Sequence, residues 1–118
     1  MKKNLKIRKR KDFVKASQSG LCYRSASVVV QCGFNDVGTY RVGFTASRRV
    51  GCAVVRNRCK RRMRAAAGAV FRDLGLSMVD YVLIARKSTC STKWIDLVNE
   101  IISAVRFLNS KIKKCSAL

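Results

Sequence analysis

The chain contains no histidine, and only six of its 118 residues are acidic. A protein nuclease needs converging carboxylates that hold metal ions, or a histidine base. Here Asp12, Asp36, Asp73, Asp80, Asp96 and Glu100 are scattered. Only Asp96 and Glu100 fall one helical turn apart, and their pattern puts them on a solvent face. No apolar run approaches the length of a membrane-spanning helix. The charged N-terminus is followed by no hydrophobic segment, which argues against a secretory signal. Cys22, Cys32, Cys52, Cys59, Cys90 and Cys115 include no C-x-x-C pair, so a structural zinc site is not expected. Their number alone would allow disulfides, but they read as reduced, partly buried small apolar residues of a cytosolic protein. No repeat, proline-rich linker or low-complexity segment divides the chain. Its length fits one domain, residues 1–118, able to bury a single core.

What the sequence has in excess is positive charge. Twenty-six Lys and Arg against six acids give a formal charge of +20, which implies a polyanionic partner. The excess peaks in VGCAVVRNRCKRRMRAA, residues 50–66, which holds Arg56, Arg58, Lys60, Arg61, Arg62 and Arg64. Val55, Cys59, Met63, Ala66, Val70 and Leu74 recur among and after them at three- and four-residue spacing, the period of an amphipathic helix. At about 100° per residue, Asn57, Arg61 and Arg64 lie nearly opposite this stripe, flanked by Arg58 and Lys60. A solvated charged face would mix signs, yet no acid occurs between Asp36 and Asp73. Uncompensated arginines on one helix face are the footprint of a nucleic-acid binder. A membrane surface is the rival, but polybasic lipid anchors favour lysine with a lipid or aromatic insert.

Along the chain, a basic arm covers residues 1–10, and a short helix follows through Asp12, Phe13 and Ala16 to a stop at Gly20. Residues 25–34 read as a strand. Asn35, Asp36 and Gly38 supply a turn, and residues 39–47 read as the returning strand of a hairpin. The basic helix spans residues 53–74, ended by Gly75. Residues 79–86, VDYVLIAR, suit a strand covered on both faces. A Ser/Thr-rich turn then leads to an amphipathic helix marked by Trp94, Val98, Ile101, Val105 and Leu108. The order helix, strand, strand, helix, strand, helix implies an α+β fold, a small sandwich with helices mainly on one face of a sheet. The basic tail, residues 110–118, is expected to order on contact with RNA, as are residues 1–8.

RVGFTASRRVGCAVVRNRCKRRMR, residues 41–64, resembles the signature of the bacterial ribonuclease P protein subunit. Matched elements are Ser47, Arg48, Arg49, Gly51, Ala53, Arg56, Asn57, Arg58, Lys60, Arg61 and Arg64. KDF at 11–13 is similar to the opening of that family's first helix, and DYVLIARK at 80–87 to its last strand. The resemblance implies a ribosomal-protein-like fold with a left-handed crossover. It implies an accessory subunit whose RNA partner removes the 5′ leader from precursor tRNA by metal-dependent phosphodiester hydrolysis. Magnesium would be bound mainly by that RNA, with no organic cofactor, no catalytic residue and no metal ligand in the protein. The implied partners are the catalytic RNA and precursor tRNA in the cytoplasm, with no protein partner and no membrane.

Arg48, Arg49, Arg56, Asn57, Arg58, Lys60, Arg61 and Arg64 are the expected RNA contacts. Arginine takes phosphate bidentately and lysine acts as a point charge, while Asn57 could meet a base edge or sugar. The resemblance implies leader contacts at Phe13, Ser17, Val28 and Gln31, in a cleft between the first helix and the sheet. There the chain departs from the pattern. Ser17 stands where a second Phe is frequent, and Val28 and Gln31 where aromatics are common. Phe13 is equally readable as a packing anchor. Three other functions stay open at this point: a ribosomal or general RNA-binding protein, a protein nuclease, and a helix-turn-helix DNA binder. The last needs a second short helix packed across the basic one.

Overall fold

In the computed structural model, residues 6–116 are described, with side chains through Lys114. A short helix α1 (Arg10–Gln18) precedes β1 (Leu21–Arg24), β2 (Val28–Phe34) and β3 (Arg41–Thr45). A single turn of 3-10 helix, Arg48–Val50, leads into α2 (Ala53–Leu74), then β4 (Val79–Ala85) and α3 (Trp94–Ser116). The four strands form one mixed sheet in the order β1-β2-β4-β3.

β4 takes an interior position, beside β2, because it is the most continuously apolar strand and both of its faces are covered there. One face, through Val79, Tyr81, Leu83 and Ala85, joins Val28, Val30 and Cys32 of β2 beneath α2 and α3. The other, through Val82 and Ile84, meets Ile7 and the α1 residues Phe13 and Ala16. The expected stripe of α2 is buried at Cys59, Met63, Ala66 and Val70 and widened by Ala67 and Phe71. Of these, the Met63, Val70 and Phe71 side chains contribute roughly 1.5–3 kcal/mol each when fully buried. The thinner α1 layer depends on close approach. A Cβ on Gly33 would stand 3.3 Å from the Ala16 backbone, and one on Gly43 would collide with the Phe13 ring at 2.5 Å.

Three expectations need correction. First, residues 25–34 and 39–47 are not partners in a hairpin. β2 pairs antiparallel with β4, β3 pairs parallel with β4, and the hairpin is β1–β2, with Tyr23 opposite Val30. Residues 35–40 therefore reverse the chain while crossing the start of β4, which separates the two strands. Asn35 holds that crossing by donating from Nδ2 to the Thr39 carbonyl at 3.2 Å and to Asp80 Oδ1 at 2.6 Å. Second, residues 110–116 are not a loose tail but the last turns of α3. Third, the basic arm is partly placed. Ile7 is buried and donates its backbone N–H to the Val42 carbonyl at 3.1 Å, which lays the arm along β3. Residues 1–5, 117 and 118 lie outside the described residues.

Candidate nucleic-acid interface

The arginine-rich face of α2 is positioned by its own opposite side. Once Cys59, Met63, Ala66 and Val70 face the sheet, helical geometry turns Asn57, Arg58, Arg61 and Arg64 outward, and all four are exposed. Asn57, Lys60, Arg61 and Arg64 line one hollow of about 410 Å³ together with Val54. Arg64 leans toward the sheet, with its Cζ 5.5 Å from the Phe44 ring centroid, within cation–π range. Arg48 and Arg49 are exposed in the turn just before α2. Arg56 is half-buried, and its Nε has no hydrogen-bond partner. The first turn of α2 contains no acid to oppose the partial positive charge of the helix N-terminus.

Not every arginine of the basic stretch belongs to this face. Arg62 turns the other way, donating to the Thr89 carbonyl, with its Cζ 5.9 Å from the Trp94 ring centroid. It ties α2 to the turn before α3. Arg62 is one of the six cations in the stretch, but helical spacing leaves it out of the expected RNA contacts.

The other face of the sheet is flanked by α1, where the resemblance implies the leader cleft. Phe13 is half-buried over Gly43, and Gln31 is half-buried in a row with Cys22 and Val82. Ser17 is exposed on α1, and its hydroxyl donates back to the Val14 carbonyl at 2.7 Å. Val28 does not belong here. Its side chain is fully buried under α2 and α3, because residues 28 and 31 of a strand point to opposite faces. The same alternation puts Val29 on the cleft face, with Ile84 and Arg24 as its register partners. Period-two counting from Gln31 would have found Val29. At the N-terminal side of α1, Lys6, Arg8, Lys9 and Lys11 surround an open hollow of about 590 Å³ whose inner wall includes Asp12 and Arg41.

Three of the six acids, Asp12, Asp80 and Glu100, are engaged structurally. Asp80 is buried and accepts two hydrogen bonds from Arg41, at 2.8 Å from Nε and 2.7 Å from Nη2. Asp12 lies 3.5 Å from the same guanidinium. The hydrogen bonds from Arg41 to Asp80 outweigh burial and push the Arg41 pKa further up. Glu100 is half-buried, not on the solvent face as its spacing suggested. It accepts from the Ser27 N–H at 2.9 Å and the Ser27 hydroxyl at 2.8 Å. Burial raises its carboxyl, but these bonds and those at Ser25 and Ala26 win and hold it below the usual range. Asp36, Asp73 and Asp96 are exposed and far apart in the chain. Among the described residues no three His, Cys, Asp or Glu side chains converge in a way that could hold a metal ion.

The sequence profile of the family described as Ribonuclease P matches residues 1–109. A protein of Ruegeria pomeroyi named Ribonuclease P protein component is 43% identical over 108 residues, covering 88% of this chain and 86% of its own. One of the same name from Gluconacetobacter diazotrophicus is 38% identical, covering 86% and 88%. Among solved structures, a mutant RNase P protein of Staphylococcus aureus superposes with a TM-score of 0.77 at 24% identity, covering 91% of this chain and 90% of that one. The RNase P protein of Thermotoga maritima superposes at 0.72 with 22% identity, covering 85% and 94%. These two likenesses speak to the fold, and the sequence matches to the lineage. The chain belongs to the ribonuclease P protein family, whose members work with an RNA subunit in the 5′ processing of tRNA.

Proposed function

We propose that the two faces of the sheet divide the work on two RNAs. The α2 face, with Arg48, Arg49, Arg56, Asn57, Arg58, Lys60, Arg61 and Arg64, holds the RNA subunit. The α1 side, with Phe13, Ser17 and Gln31, holds the 5′ leader of precursor tRNA. The observation that carries this reading is the contrast in compensation. Arg58 and Arg61 are exposed on a helix side with no acid, whereas Arg41 is fully paired. Phosphate contacts of this kind fix position and register rather than sequence. The cleft offers one aromatic ring and an amide, so it suits a leader gripped through its backbone with a single stacked base.

Among the described residues the side chains offer magnesium no fitting site. Asp12 and Asp80 are held by Arg41 and Glu100 by Ser27, which leaves no convergent oxygen set. We therefore assign the metal ions to the RNA subunit and derive no chemical step through this chain. Its contribution is to hold the leader in place and to screen repulsion between two polyanions. No helix among the described residues is long and apolar enough to cross a membrane. Our reading puts the work in the cytoplasm, with tRNA.

The test is cleavage of precursor tRNA by the catalytic RNA with and without the purified chain. At low magnesium the chain should be required, and at high magnesium the requirement should fade. The chain alone with magnesium should release no leader. Specific leader removal by the chain alone would overturn the assignment of chemistry to the RNA.

A further inference from the structure

The buried side of the basic helix holds a pair of thiols. Cys59 lies on the apolar stripe of α2, fully buried, with its Sγ 2.6 Å from the Sγ of Cys90 in the turn between β4 and α3. Both are free thiols in the structure. Two unbonded sulfur atoms do not ordinarily pack this closely, and a disulfide closes at about 2.05 Å. The turn is held from several sides. Thr89 donates its hydroxyl to the Ser27 carbonyl at 2.6 Å and accepts from the Arg86 N–H at 2.8 Å, and Arg62 donates to its carbonyl. These bonds keep Cys90 facing Cys59, and the sulfurs have only the difference between 2.6 Å and about 2.05 Å left to close. No other pair among the described cysteines is placed this way. Cys22 and Cys32 sit on paired strands but at positions of opposite parity, and Cys52 is exposed.

We propose that Cys59 and Cys90 form a reversible disulfide when the protein meets a peroxide, a modification that fastens the basic helix to the β4–α3 turn. Cys90 is the half-buried member, so the oxidant reaches it first. Its thiolate attacks one peroxide oxygen, the O–O bond breaks, and hydroxide leaves, giving a sulfenic acid at Cys90. The Cys59 sulfur, on losing its proton, attacks the Cys90 sulfur. The S–O bond breaks and the oxygen departs as water. In sum, two thiols lose two electrons and two protons, and the peroxide is reduced to two waters. Burial and the hydrogen bond with Cys90 push the Cys59 thiol up to about 11, so Cys59 does not make the first attack on the oxidant. The sulfurs lie on the buried side of α2, away from Arg61 and Arg64, so the link leaves the phosphate-facing side exposed.

The experiment treats the purified full chain with hydrogen peroxide, alkylates remaining thiols, and digests it without reductant. The expected result is a crosslinked Cys59–Cys90 peptide and, before alkylation, an intact mass lower by two hydrogen atoms. Tm should rise by several degrees through restraint of the unfolded chain. Dithiothreitol should reverse all three. Cys90→Ser, checked for folding by circular dichroism, should show neither the link nor the Tm rise. Recovery of alkylated Cys59 alongside a sulfinic Cys90, or a link joining other cysteines instead, would overturn the proposal.

Discussion

Arg41 and Arg58 carry the same guanidinium into opposite situations. Arg41 sits at the edge of the sheet, bidentate on buried Asp80 and near Asp12, with its side chain only 16% exposed. Arg58 stands exposed on α2, where the nearest acids in the chain are Asp36 and Asp73. One arginine completes the fold, and the other is left for a partner. The difference teaches that a count of basic residues overstates the interface, since Arg62, inside the signature, also serves the fold. Which arginine does which is decided by what the sheet and loops bring beside it.

Removing the Arg41 partner should have the largest effect. Asp80→Ala takes the main acceptor from the mostly covered Arg41 guanidinium and one of two acceptors from the Asn35 amide, and should cost about 3–5 kcal/mol of stability. Arg58→Ala, in the same urea titration, should stay within about 0.5 kcal/mol of the parent. Equal losses would erase the distinction between the two arginines.

Phe13→Ala sharpens the comparison on the other face. If the ring stacks on a leader base, affinity for precursor tRNA falls by about 1–3 kcal/mol while affinity for mature tRNA holds. The fold must be followed in parallel, because truncating a packed Phe costs up to ~3–5 kcal/mol. Parallel losses for precursor and product would make Phe13 a packing residue only. Arg62→Ala comes next. It should lower stability by about 1–2 kcal/mol, through the lost carbonyl bond and the Trp94 contact, without changing the salt dependence of RNA binding.

Much of this arrangement was legible in the sequence, and the misses share a cause. The boundaries of α2 and the identity of its outward residues followed from a period that one helix enforces on itself. β4 was legible because a continuous apolar run has to be covered twice. β1 was not, since Leu21–Arg24 is short and shows no alternation. The pairing of β2 and β3 was misread because turn residues at 35–38 are compatible with a hairpin or a crossing. Only the Asn35–Asp80–Arg41 bonds, which join three separate segments, select the crossing. Val28 was misplaced because a resemblance gives positions without parity, and parity decides which face a strand residue serves.

The smallest effect is expected at Glu100. Its carboxyl is held below the ordinary value of 4.5, so the native state binds fewer protons than the unfolded chain in that region. Its contribution is complete above the ordinary value and disappears as pH falls through the lowered folded one. Glu100→Gln should therefore flatten the acid limb of the stability profile and leave RNA binding unchanged. An unaltered acid limb would remove Glu100 from the Ser27 turn.

The central claim is that the exposed arginines of α2, and not the paired ones, meet phosphate. It is tested most directly by the salt dependence of affinity for the catalytic RNA. With ~5 phosphates neutralised, the log–log slope for the parent chain should be near −4. Arg58→Ala combined with Arg61→Ala should bind much more weakly, with a slope shallower by about 2, and should unfold like the parent. An unchanged affinity and slope in that double variant would contradict the account.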